Sequence, residues 1–181
     1  MKGLVFTEFI EFVEDTFTPE VADRIIEASD LASGGVYTSL GNYDHDEMVQ
    51  LVTQLSTETG VAVPDLLRTF GAHLFGRFVV EFPFFFEKAK SAFDFLQTVD
   101  SYIHVEVRKL YADVELPRIE CEQRDPGHLT VTYRSTRPFA DLAEGLITGC
   151  IAHFGEELAL RREDVFDGRT TVARFSLTNQ G

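Results

Sequence analysis

Five histidines come first, because imidazole is both the commonest metal ligand and the side chain that titrates nearest neutral pH. His45 sits among Asp44, Asp46 and Glu47 at a helix start, and His128 falls in a turn between two strand patterns. Both read as groups on the solvent side. His104 differs, because it lies deep in a long helical pattern, about one turn from Asp100, Val107 and Arg108. At roughly 100° per residue, Phe93, Val107 and Tyr111 fall within about 60° of it. Leu96, Ile103 and Val114 continue that apolar sector, so His104 borders the face that enters the core. Taken alone, such a histidine reads as a hydrogen-bonded core residue. No set of Cys, His or carboxylates accompanies it, which argues against zinc. A group that brings its own equatorial ligands needs only one axial imidazole, and haem is such a group.

The second constellation is Tyr133-Arg134-Ser135-Thr136-Arg137, preceded by Thr130-Val131-Thr132. At a strand period of two, Tyr133, Ser135 and Arg137 point to one side of a sheet and Arg134 to the other. Two hydroxyls and a guanidinium fork form a receptor for one or two carboxylates. The same residue types also suit a solvated sheet face. Haem carries two propionates, so the lone histidine and this anion receptor account for each other. The chain also has 17 Phe and no Trp, with Phe82, Phe84, Phe85, Phe86, Phe93 and Phe95 close together. That grouping fits either a Phe-rich core or a pocket for a large flat apolar ligand.

The elements that must position these residues follow from periodicity. Residues 3–17 put Phe6, Ile10, Val13 and Phe17 on one helical stripe, with Val5, Phe9 and Phe12 beside it and the acidic residues largely opposite. Thr18-Pro19 opens a second helix, and the glycines at 34, 35 and 41 make residues 32–42 a loop. Helices fit residues 44–59 and 64–81, Pro83 breaks the pattern, and a long helix is expected over 91–112. After Pro117 the period drops to two. Residues 118–123 and 129–135 flank Asp125-Pro126-Gly127 as a hairpin, and residues 139–154 return to helical spacing. Residues 160–166 and 170–177 form a second hairpin around Asp167-Gly168. The expected fold is α+β: a helical N-terminal half, then a four-stranded antiparallel sheet with one crossing helix.

Length and charge narrow the function. At 181 residues, without repeats or linkers, the chain reads as one domain over 1–181. Lys+Arg number 16 against 30 Asp+Glu, a net charge of −14, which disfavours nucleic-acid and membrane-surface partners. No apolar run is long enough to span a bilayer, and Glu8, Glu11, Glu14 and Asp15 rule out a signal peptide. Cys121 and Cys150 read as reduced thiols in a cytoplasmic protein.

On these residues the sequence resembles the H-NOX (haem–nitric oxide/oxygen binding) domains, relatives of the haem domain of soluble guanylate cyclase. The resemblance runs from Met1-Lys2-Gly3 through Gly71, Phe82-Pro83, His104 and Pro117 to Tyr133-x-Ser135-x-Arg137. It implies haem b, with His104 as proximal ligand and Tyr133, Ser135 and Arg137 as the propionate clamp. It also implies that Pro117 presses on the haem and bends it, and that Val5, Phe9, Phe78, Leu142 and Leu146 line the pocket. Oxygen-binding members carry a distal Tyr where this chain has Leu142. The zinc site of some members needs more cysteines than Cys121 and Cys150 provide.

The resemblance therefore implies a non-catalytic sensor that binds nitric oxide, and also carbon monoxide, at ferrous haem. Its output is expected to pass in trans to a histidine kinase or a cyclic-di-GMP enzyme, because the last strand pattern ends close to residue 181. The other readings are a haem-independent carrier of an apolar carboxylate and an oxygen-binding member of the family.

Overall fold

The computed structural model describes residues 1–111, 114–166 and 168–180. Helix α1 (Gly3–Thr16) buries Phe6, Phe9, Phe12 and Val13, as its stripe predicts. Glu8 departs from that expectation: it is buried, and Arg77 Nε donates to its Oε2 at 2.8 Å. A carboxylate at that depth needs such a partner. Helix α2 (Pro19–Glu27) starts where expected, with Thr18 Oγ1 accepting from Val21 N–H at 3.3 Å and Pro19 in the first turn. Helices α3 (His45–Thr59) and α4 (Val63–Glu81) follow. The loop before α3 is fastened by buried Glu47, which accepts hydrogen bonds from Ser33 and from Tyr37 Oη at 2.8 Å.

The expected long helix over 91–112 is not continuous. After the Pro83–Phe85 3-10 turn, α5 (Ala92–Thr98) leads into a π turn at Val99–Ile103, and α6 begins at His104 (His104–Leu110). His104 N–H donates to the carbonyl of Val99, five residues back. A π turn inserts an extra residue, so Phe93 and Leu96 no longer share a helical wheel with Val107 and Tyr111. Ala112, the expected end of this helix, lies outside the described residues. Lys2 Nζ stands 4.2 Å from the centre of the Tyr111 ring and ties the end of α6 to the start of α1.

Strands β1 (Arg118–Asp125), β2 (His128–Ser135), β3 (Leu158–Phe166) and β4 (Thr171–Asn179) form a four-stranded sheet in the order β1-β2-β4-β3. All the pairings are antiparallel. Asp125 Oδ1 accepts Gly127 N–H at 2.8 Å and closes the first hairpin. Asp167 of the second expected turn lies outside the described residues. Helix α7 (Ala140–Phe154) crosses between β2 and β3. The architecture is the expected α+β one.

Two apolar clusters result. One joins α1 to α4, with Leu142 of α7 at its edge; the other lies between the sheet, α5 and α7. Leu146 packs against both. Helices α4 and α7 approach through glycine: a Cβ on Gly71 would lie 2.4 Å from the Leu142 carbonyl oxygen, and one on Gly145 2.1 Å from that of Arg68. Asp141 Oδ1 stands 2.9 Å from Arg68 Nη1 and 2.7 Å from Arg162 Nη1, which fastens the start of α7. No helix among the described residues is long and apolar enough to cross a membrane.

Candidate functional site

The π turn presents His104 as the first residue of α6, with its side chain 12% exposed. Nδ1 lies 3.1 Å from Asp100 Oδ1, and Nε2 has no hydrogen-bond partner among the described residues. Burial pulls the imidazole below its ordinary pKa, while Asp100 pulls the other way. A neutral ring with Nδ1–H on a carboxylate keeps the Nε2 lone pair for a metal. Sequence reasoning misses both the part played by Asp100 and the π turn. The available signal is a carboxylate one turn ahead of an apolar-face histidine.

Strand alternation does not account for the second constellation. Strand β2 ends at Ser135, so Arg137 lies beyond it. Pro138 cannot continue the ladder, and Ser135 Oγ accepts Arg137 N–H at 3.1 Å to form a side-chain-closed turn. The turn still brings the three residues together. Ser135, the Arg137 guanidinium and the Phe139 N–H all lie close enough to the Tyr133 hydroxyl to favour its charged form. Burial pushes the Tyr133 phenol up, and these neighbours oppose the shift. Arg137 Nη1 donates to the Glu115 carbonyl at 3.2 Å and Nη2 to Glu115 Oε2 at 2.7 Å, so the fork already receives a carboxylate. Arg134 is exposed, with Nη1 3.4 Å from Thr170 Oγ1.

The expected pocket residues share one apolar cluster. Phe9 and Leu142 belong to the first apolar cluster, and Val5, Phe78 and Leu146 pack against it. The polar residues of α7 are engaged elsewhere. Asp141 and Glu144 pair with Arg162, Thr148 Oγ1 donates to the Glu144 carbonyl, and exposed His153 packs on Phe75, Phe86 and Phe154. On α4, His73 Nε2 is buried without a partner among the described residues, its ring 5.3 Å from that of Phe12. Pro117 is half-buried on the linker between α6 and β1. His45, expected to be exposed, is half-buried against Phe139. Cys121 is half-buried, its Sγ donating to the Leu96 carbonyl at 3.4 Å, and burial pushes its thiol up to about 11. Such a thiol is poorly reactive at neutral pH.

These groups fit haem. One imidazole has its second nitrogen without a partner among the described residues, a half-buried guanidinium already grips a carboxylate, and the expected pocket residues are apolar.

Comparison with known proteins agrees. The Haem-NO-binding family model matches residues 2–162. The unliganded Fe(II) H-NOX protein from K. algicida is 38% identical with a TM-score of 0.92, covering 100% of this chain and 98% of that one. The IWP-051-bound H-NOX from Shewanella woodyi, in the Fe(II)CO state, is 41% identical with a TM-score of 0.83, covering 99% and 94%. A mutant of the T. tengcongensis H-NOX shares the fold at 23% identity and a TM-score of 0.90, covering 100% and 98%. No curated protein matches the chain significantly. Fold and family model together define a small α+β haem domain. The chain belongs to the Haem-NO-binding (H-NOX) family, a family of haem-based gas sensors.

Proposed function

We propose that the chain is a haem b nitric oxide sensor, one domain over residues 1–181, that works in the cytoplasm and signals to a separate enzyme. The observation that carries this reading is His104, half-buried where the π turn meets α6, with Nδ1 on Asp100 and Nε2 free to ligate. When bound, haem supplies a coordination position for the gas and an iron–imidazole bond that nitric oxide weakens. Every other role belongs to the chain. His104 holds the iron, and Asp100 keeps the proton on Nδ1 so that Nε2 remains the ligand. Tyr133, Ser135 and Arg137 receive the propionates. Pro117 would press on the macrocycle. Val5, Phe9, Phe78, Leu142 and Leu146 exclude water and offer no hydrogen-bond donor to a gas. That absence favours nitric oxide and carbon monoxide over dioxygen, which gains most from a donor because it draws negative charge from the iron.

If the imidazole were released from the haem iron, α6 would be freed, and the π turn is where it would hinge. The receiving enzyme is a histidine kinase or a cyclic-di-GMP enzyme, and the net charge of −14 suits a basic docking face. Catalysis belongs to that partner. Haem-family membership favours this reading over a haem-independent carrier. The test is His104→Gly purified without imidazole. It should lose stable haem and its Soret band, whereas His73→Ala and His153→Ala keep both. Full haem occupancy with an unchanged spectrum in the glycine variant would contradict the ligand assignment.

A further inference from the structure

Arg137 is half-buried, its side chain 14% exposed, and a guanidinium so withdrawn from water is stabilised by an anionic partner. Among the described residues its only carboxylate within ion-pair distance is Glu115, with Nη2 and Oε2 2.7 Å apart. The same residue also takes Nη1 on its backbone carbonyl at 3.2 Å, so one residue covers one edge of the guanidinium. The two sides of this pair are unequal. The Glu115 side chain is 78% exposed, so its carboxylate can turn into water at little cost, while the Arg137 guanidinium, 14% exposed, is held in place.

We propose that Glu115 is the resident counter-ion of Arg137, a carboxylate of the chain itself that yields the guanidinium to an incoming haem propionate. The proposal rests on the reading of Arg137 as part of the propionate clamp. Arg137 keeps an anionic partner before and after the exchange, so the cost of leaving a half-buried charge unpaired is never incurred. The backbone carbonyl of Glu115 can keep its bond to Nη1 throughout, because it does not depend on the carboxylate. Glu115 lies on the linker between α6, which carries His104, and Pro117. The exchange therefore takes place on the segment that joins the ligand helix to the proline.

The experiment is haem partition between the haem-loaded full-length protein and a fixed excess of a haem-free globin, read from the Soret bands. It compares wild type, Glu115→Gln and Arg137→Ala, each with haem and with haem whose propionates are methyl esters. An exposed carboxylate in competition is worth about two- to fivefold in affinity. Glu115→Gln should therefore retain haem about two- to fivefold better than wild type, and the ester form equally well. Equal or weaker haem retention by Glu115→Gln overturns the competitor role, as does a gain that persists with the ester. Arg137→Ala separates this from the underlying reading. It should weaken haem binding more than ester binding, and equal losses on the two would show that Arg137 holds no propionate.

Discussion

Asp100 stands one turn ahead of His104, with its Oδ1 3.1 Å from the imidazole Nδ1, and the π turn at Val99–Ile103 contains the whole interval between them. The carboxylate fixes which nitrogen carries the proton and raises the basicity of the other. Asp100→Ala should speed haem loss about tenfold, the lower end of what such outer partners contribute to metal affinity. Asp100→Asn, which can still accept from Nδ1–H, should lose less. Haem-loss rates identical to wild type in both variants would show that Asp100 is a bystander.

The two arginines of the β2 segment should separate sharply. Arg137 is nearly buried and grips a carboxylate, whereas Arg134 is exposed near Thr170. Removing a charge-assisted contact costs about 1.5–3 kcal/mol, so Arg137→Ala should weaken haem retention by that amount. Arg134→Ala should change it little. Equal effects would mean that the turn after Ser135 does not aim Arg137 at the site.

The close approach of α4 and α7 predicts a contrast between two glycines. A Cβ on Gly145 would lie 2.1 Å from the Arg68 carbonyl oxygen, which belongs to a helix backbone and cannot step aside. Gly145→Ala should destabilise the fold by about 1–3 kcal/mol. Gly76 has no atoms within 4 Å of such a Cβ, so Gly76→Ala should gain about 0.5–1 kcal/mol from helix propensity. Urea unfolding of both variants checks this, and destabilisation of Gly76→Ala or tolerance of Gly145→Ala would contradict the crossing.

Much of this arrangement is legible in the sequence, and particular residues show where legibility stops. Thr18-Pro19 and Pro83 announce helix boundaries through backbone chemistry, and the α1 stripe follows from its 3.6-residue period. The π turn is invisible, because the apolar spacing of residues 91–112 reads the same with or without one inserted residue. Glu8 reads as a solvent-side residue because its burial depends on Arg77, which lies far away in sequence. Strand alternation puts Arg137 in the right group of residues by the wrong geometry: a turn closed by Ser135 Oγ brings it beside Tyr133. Glu115 has no sequence signal, since nothing local marks an exposed linker glutamate as an arginine's partner.

The central claim is ligand choice at a haem held by His104, and one measurement addresses it most directly. The purified ferrous protein is exposed to air and then to nitric oxide while its Soret and visible bands are followed. Leu142 and the apolar wall beside it supply no donor, so no stable dioxygen complex should form, and nitric oxide should bind at once. Leu142→Tyr adds a hydroxyl worth about 1.5–3 kcal/mol, or roughly 10–150-fold in dioxygen affinity if it reaches the gas. A long-lived oxy spectrum in the wild-type protein would contradict nitric oxide selectivity.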